Sequence, residues 1–234
     1  MKMRAFGIVQ VVGTIVTIFL AIIVWGLPFA PGIMILEETI ARSASEGIVV
    51  RAIMIGLAFS TGMVLWGICV LLLSGILQFL IHPRIDKEMV YPLASFMTIR
   101  WAITGLLHRL TSPMLTHLVP SFIANWYYRL CGCKLGIGAQ VNSPVVNDAY
   151  AVKIGAGTVI GGHATINCHL VEDGKLVLAP VTIGERVTIG GGSSVMPGCK
   201  IGDDVIVAYH AVVTKRTEIP DGEVWGGLPA KKIR

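Results

Sequence analysis

From Ala5 to Leu36 the chain carries no charged residue, and none falls between Ala52 and Ile81. Each run exceeds the ~20 apolar residues that cross a bilayer as a helix. Within Gly7–Leu27 thirteen residues are Ile, Leu, Val or Phe, each favouring insertion by roughly 0.3–0.6 kcal/mol at the helix centre. Many are β-branched, but in lipid every backbone group must be satisfied internally, which outweighs strand propensity. The pattern predicts a transmembrane helical hairpin over residues 1–90, its first helix ending near Pro28 and Pro31. A cleaved signal peptide fits less well, because its apolar core spans only about 7–15 residues.

Residues 91–134 alternate at a helical period instead. Arg100, Thr104, His108 and Thr111 form one polar stripe, spaced by four, four and three. Ser121, Asn125 and Arg129 form a second, opposite Phe122, Ile123, Trp126 and Tyr127. Two placements fit. The helices lie in the membrane interface with aromatics and Arg at headgroup level, or they pack between membrane and the following domain. A third crossing is disfavoured, since Arg100, His108 and Arg109 interrupt every apolar window there.

Beyond residue 135 the period changes to six. Ile183, Ile189, Val195, Ile201, Val207, Val213 and Ile219 succeed one another at that spacing, and Val171 and Val177 extend the phase backwards. Ile154, Ile160 and Ile166 keep the spacing in another phase, which Leu135 and Val141 begin. Glycine follows several of them, at Gly136, Gly155, Gly161, Gly184, Gly190 and Gly202. A helix has no reason for such a period. A chain that turns a corner every six residues does, with one aliphatic pointing inward per short strand and glycine relieving the corner. The phase breaks at 141→154 and 166→177 mark where loops leave the coil.

Composition sharpens this division. The 234 residues are 54% apolar and only 14% charged, which excludes disorder and argues against an ordinary soluble enzyme. The net charge is +5, and all of it belongs to the front. Residues 1–135 hold ten basic and five acidic side chains, whereas 136–234 hold nine of each. Nucleic-acid binding by the neutral C-terminal part therefore has no electrostatic support. Lys2 and Arg4 precede the first apolar run, and Arg84, Lys87, Arg100 and Arg109 follow the second. This bias places both termini, and the repeat domain, on the cytoplasmic side of an integral membrane protein.

The six-residue pattern resembles the hexapeptide-repeat family of acyltransferases, whose left-handed parallel β-helix uses three hexads per triangular coil. The resemblance implies an α+β membrane protein, with the hairpin and interfacial helices leading into a left-handed β-helix over 135–234 of roughly five coils. Ile166-Asn-Cys-His169, Pro180-Val-Thr-Ile-Gly184 and Val195-Met-Pro-Gly198 are similar to galactoside, maltose and antibiotic O-acetyltransferases. Arg129-Leu-Cys-Gly-Cys-Lys-Leu-Gly136 resembles the entry segment of exopolysaccharide transferases of the colanic-acid type.

Acyl transfer from a thioester needs a base for the acceptor's proton and donors for the developing oxyanion. His163, His169 and His210 each lie three residues after a repeat aliphatic, at a step that points outward. Matching the family's motif residue by residue lands its general base on His169, with His163 second. Glu172 or Asp173 then orients the imidazole. Gly190 and Gly191 match the family's backbone donors to the oxyanion. Thr214, Lys215 and Lys231 match residues that touch coenzyme A, and Tyr209 stands where its pantetheine arm passes. The resemblance thus implies acetyl-CoA as co-substrate, no metal, a homotrimer and direct transfer. The membrane tether points to a lipid headgroup or lipid-linked glycan as acceptor.

Five cysteines, an odd number without regular spacing, argue against a disulfide framework. Cys168 beside His169 offers a nucleophile that direct transfer makes unnecessary, and Cys131-Gly-Cys133 lacks the second pair that a zinc site needs. Two other readings keep the fold: a trimeric scaffold without catalysis, and a γ-class carbonic anhydrase with metal on three histidines. Against the latter, no histidine occurs between Leu135 and Gly162.

Overall fold

The computed structural model describes residues 2–234, with side chains from Val11 onward. The cations Lys2 and Arg4 therefore lie outside the described side chains. The chain divides into two compact units, 1–74 and 75–234.

In the first unit, helix α1 (Lys2–Gly26) continues through a 3-10 turn, Leu27–Phe29, into α2 (Ala30–Arg42). Helix α1 ends two residues before Pro28, as expected, but the chain stays helical beyond both prolines. Each occupies an early position of the segment it opens, where its missing N–H has no helical partner anyway. Glu37, Glu38 and Arg42 sit on α2, where Arg42 pairs with Glu38 at 2.5 Å. Helix α3 (Ile48–Ile81) follows. Both Val11–Arg42 and Ile48–Ile81 are long and apolar enough to cross a bilayer. Gly32 of α2 meets Gly62 of α3, and a Cβ added to Gly32 would lie 2.9 Å from the Gly62 Cα. Small residues at such a crossing let two backbones approach closely. Phe29 stacks on Trp66 beside it, ring centroids 4.7 Å apart.

The second unit begins in the last turns of α3. Strand β1 (Met89–Pro92) precedes α4 (Phe96–Leu118) and α5 (Phe122–Leu130). Ser95 and Ser121 cap the two helices by accepting from the amides of Thr98 and Ala124, both at 3.2 Å. The polar stripe of α4 turns inward. Thr104, His108 and Thr111 are buried, while Phe96 and Ile99 are 73% and 55% exposed. Helix α5 buries Tyr127 and Tyr128 and exposes Phe122 and Trp126. The Tyr127 hydroxyl meets Gln78, Thr111 and His108 at 2.8, 2.8 and 3.0 Å, so these inward polar groups satisfy one another.

A three-faced parallel β-helix follows. Its first coil holds β2 (Lys134–Leu135) and β3 (Gln140–Val141) and closes through Val146, which bridges to Ile166. The second holds β4 (Val152–Ile154), β5 (Val159–Ile160) and β6 (Thr165–Ile166). An antiparallel hairpin, β7 (His169–Glu172) and β8 (Lys175–Leu178), then leaves the coil. Coil three is β9 (Val181–Ile183), β10 (Thr188–Ile189) and β11 (Ser194–Val195), and coil four is β12 (Lys200–Ile201), β13 (Ile206–Val207) and β14 (Val212–Val213). The last turn is β15 (Glu218–Ile219) and β16 (Val224–Gly227), closed by the antiparallel β17 (Ala230–Lys232).

Strands stack in register, Ile160 beside Ile189 beside Val207, and the core is the predicted file of aliphatics. Coils are so close at the corners that a Cβ on Gly161 would lie 2.6 Å from the amide nitrogen of Gly191. The surface keeps the same eighteen-residue rise: Arg186 pairs with Asp204 and Lys200 with Glu218, both at 2.7 Å.

Val171 and Val177 do not extend the repeat. They belong to the hairpin, where Val171 is 56% exposed, and their six-residue spacing is coincidental. Strand β1 adds to the hairpin, and Glu88 just before it takes two bonds from Arg216 at 2.7 and 2.8 Å. That pairing holds the Glu88 carboxyl below its ordinary value, chiefly through the guanidinium hydrogen bond.

Candidate active site

The two phase breaks of the repeat lie one coil apart at the same corner. Val146 pairs with Ile166, and Asn147 Nδ2 donates to Asn167 Oδ1 at 2.7 Å. The next residue on each strand leaves the coil. Asp148 takes a left-handed conformation, φ 58° and ψ 44°, and opens the 3-10 turn Ala149–Ala151; aspartate tolerates that region better than most residues. On the coil above, Cys168 leads into the hairpin and His169 begins it.

The Asp148 carboxylate consequently faces His169. Oδ2 lies 2.5 Å from His169 Nδ1, and the Cys168 amide also points to it, at 3.4 Å. Oδ1 accepts from Trp101 Nε1 at 3.1 Å and from the Tyr150 hydroxyl at 3.3 Å. The Asp148 side chain is only 4% exposed, whereas that of His169 is 30% exposed. A buried carboxylate with four donors is well satisfied. Because it can only accept, Nδ1 carries the proton and Nε2 is left as the basic nitrogen. The Trp101 ring packs edge-on against the imidazole, centroids 4.8 Å apart, and fixes its plane.

These groups open into a cleft of about 320 Å³ between the coil corner and α4. Gln78, Thr104, Gly105, His108 and Arg109 line it with Asn147, Asp148 and His169. Burial pushes the His108 imidazole down to about 4, so it is neutral at physiological pH. The Tyr150 phenol is held well above its ordinary value by burial and then by the Asp148 charge.

The orienting carboxylate is thus Asp148, not Glu172 or Asp173. Glu172 forms an ion pair with Lys215, and Asp173 sits at the hairpin tip with φ 49°. Nor do the three candidate histidines share one environment. His163 and His210 occupy the left-handed corner step, φ 56° and 55°, and are exposed, whereas His169 stands in the cleft. Cys168 is fully buried, its thiol raised by desolvation and by Asp148, and its Sγ points to the Ala151 carbonyl. It is a structural cysteine.

The other expected site residues lie along the prism and do not line the cleft. The Gly190 amide donates to Val207 O at 2.8 Å and is committed to the coil ladder, and the Gly191 carbonyl accepts from His210 at 3.0 Å. Tyr209 is 71% exposed, edge-on to His210. Thr214 and Lys215 form a corner, the Thr214 hydroxyl 3.1 Å from that of Thr217. The Lys215–Glu172 pair ties this corner to the hairpin that carries His169. Lys231 is exposed on β17. Among the described residues no three His, Cys, Asp or Glu side chains converge to hold a metal.

Residues 180–215 match the family described as bacterial transferase hexapeptide (six repeats). The β-helix is a hexapeptide-repeat domain. Over 114 residues the chain is 33% identical to the galactoside O-acetyltransferase of Escherichia coli (strain K12), covering 44% of this chain and 55% of that one. It is 35% identical over 105 residues to the mitochondrial γ carbonic anhydrase 2 of Arabidopsis thaliana, 37% of each. A galactoside acetyltransferase solved in complex with coenzyme A matches with a TM-score of 0.46 and 22% identity, over 62% of this chain and 85% of that one. The chain spans about half the length, or less, of these two curated relatives.

Proposed function

We propose that the protein is a membrane-bound acyltransferase that moves an acetyl group from acetyl-CoA directly to an acceptor hydroxyl. The observation that carries this reading is the Asp148–His169 pair at 2.5 Å, opening on the cleft. A histidine held by a carboxylate at Nδ1 and free at Nε2 is built to take a proton from a hydroxyl. As Nε2 takes it, the acceptor oxygen attacks the thioester carbonyl. Collapse of the tetrahedral intermediate breaks the C–S bond, and the proton passes to the departing coenzyme A sulfur. Cys168, buried and protonated, has no part in the transfer. His163, exposed at a corner and without a carboxylate partner among the described residues, is the weaker candidate for the base.

Coenzyme A lies along the prism, with Thr214, Lys215 and Lys231 near its phosphates, Tyr209 beside its pantetheine arm and Gly191 as the oxyanion donor. Three chains form a trimer with sites between neighbouring prisms, as in the family that the repeats resemble. The relative named an acetyltransferase supports this chemistry, whereas no donor set for the metal of a γ carbonic anhydrase converges among the described residues of the single chain.

The apolar spans and the outward Phe96, Ile99, Phe122 and Trp126 support an acceptor presented at the membrane, a lipid headgroup or lipid-linked glycan. Both termini and the prism face the cytoplasm. The test is transfer of radiolabelled acetyl from acetyl-CoA into lipid and glycan extracts, with mass spectrometry of extracts from cells with and without the protein. A new acetyl ester that depends on the protein supports the reading. Protein that binds no acetyl-CoA at millimolar concentration would instead be a β-helical scaffold.

A further inference from the structure

We infer that the acceptor carries a phosphate ester close to its reacting hydroxyl, and that Arg109 recognises this anion. The inference rests on the acyltransferase reading of His169 and names its substrate class.

Helix α4 has two arginines with different positions. Arg100 closes the end of α3, its Nε donating to Ile81 O and its Nη2 to His82 O, both at 2.8 Å. It is a helix cap built from a side chain. Arg109 is exposed and lines the His169 cleft, and among the described residues it enters no ion pair. Its Nη2 lies 4.0 Å from where a Cβ on Gly105 would sit. The side chain therefore folds back one helical turn over a residue that has no side chain, which keeps its charge at the cleft.

The remaining polar lining is neutral apart from Asp148 and His169: Gln78, Thr104, His108 and Asn147 carry no charge at physiological pH. The one carboxylate, Asp148, is buried and already has four donors. A solvent-touching guanidinium among neutral donors, beside a basic imidazole, favours an anionic ligand and offers two parallel N–H bonds to phosphate oxygens. The opposite face of α4 exposes Phe96 and Ile99. The helix thus presents an anion-binding side to the cleft and an apolar side outward, the arrangement that a phosphate-bearing amphiphile requires.

A lipid headgroup and a soluble sugar phosphate share this chemistry. The full chain in neutral detergent is titrated by calorimetry with glycerol 1-phosphate, with glycerol as the uncharged control, and separately with acetyl-CoA. Saturable millimolar binding of glycerol 1-phosphate but not glycerol is expected. Arg109→Gln weakens it 10- to 100-fold, the range of a charged hydrogen-bond partner, Arg109→Lys weakens it less, and Lys153→Gln leaves it unchanged. Repeating the titration in nanodiscs separates the sources. Phosphatidylglycerol discs that compete with glycerol 1-phosphate identify a headgroup in the cleft. Equal affinity in phosphatidylglycerol discs and in neutral detergent identifies a soluble phosphate ester. Equal affinity in Arg109→Gln, or no phosphate binding by the native chain, overturns the inference. Loss of acetyl-CoA binding alone would overturn the acyltransferase reading and leave the anion site standing.

Discussion

Asp148 and His169 lie 21 residues apart and meet at 2.5 Å, because each leaves the repeat at the same corner of successive coils. The corner is rigid on both sides of the pair. Val146 is bridged to Ile166 beneath it, and Trp101 closes it from α4. A side chain on a free loop would need ordering before it could act; His169, proposed as the base, is held by Asp148 and by the Trp101 ring.

Asp148→Asn keeps the side-chain shape but removes the charge that supports an imidazolium as it forms. The expected outcome is a fall in kcat of roughly 100- to 10,000-fold, the range that acid–base catalysis contributes. Acetyl-CoA affinity, read by calorimetry, should change less than about threefold, since Thr214, Lys215 and Lys231 do not line the cleft.

Acid should destabilise the second unit through His108. Its folded value, about 4, lies below the ~6.5 of an unfolded chain. Above pH ~6.5 both states are neutral and stability is fully present. As the pH falls from 6.5 towards 4 the unfolded chain takes up a proton that the folded one refuses. Stability drops by an amount on the order of 3 kcal/mol at most. Denaturant melts at pH 7 and pH 4.5 should show the loss, and His108→Gln should reduce it.

Gly161→Ala should destabilise the prism, because its Cβ would enter the backbone of the next coil at 2.6 Å. Overpacking of this kind costs about 1–3 kcal/mol. A thermal melt of the variant should show a lower Tm, with no change expected for alanine at the exposed Lys153.

Lys215→Ala should raise the Kd for acetyl-CoA about tenfold and leave kcat within a factor of three. Glu172→Gln should have little effect on stability, since an exposed pair contributes only about 0–1 kcal/mol. Releasing Lys215 from that pair should tighten acetyl-CoA binding slightly. Calorimetry at two salt concentrations checks both expectations.

The repeat was legible because it is local. Each inward aliphatic from Ile183 to Ile219 answers to its own hexad, and the phase breaks correctly marked both excursions. Asp148 was not legible, because nothing in Asn147-Asp-Ala-Tyr150 announces a partner 21 residues away. Only the stacking of coils brings them together, and the Asn147–Asn167 ladder is the trace that this leaves in sequence. The hairpin misled in the other direction, since Val171 and Val177 keep the six-residue spacing while pairing antiparallel. On α4 the polar stripe was visible but its direction was not. Thr104 and His108 turn inward, to the cleft and to Tyr127, and Phe96 turns outward.

The most direct measurement is acetyl transfer by His169→Ala, with acetyl-CoA binding determined on the same sample. Binding within about threefold of the native protein, with transfer reduced at least 100-fold, is the predicted result. Undiminished transfer by the folded variant would contradict the assignment of His169 as the base.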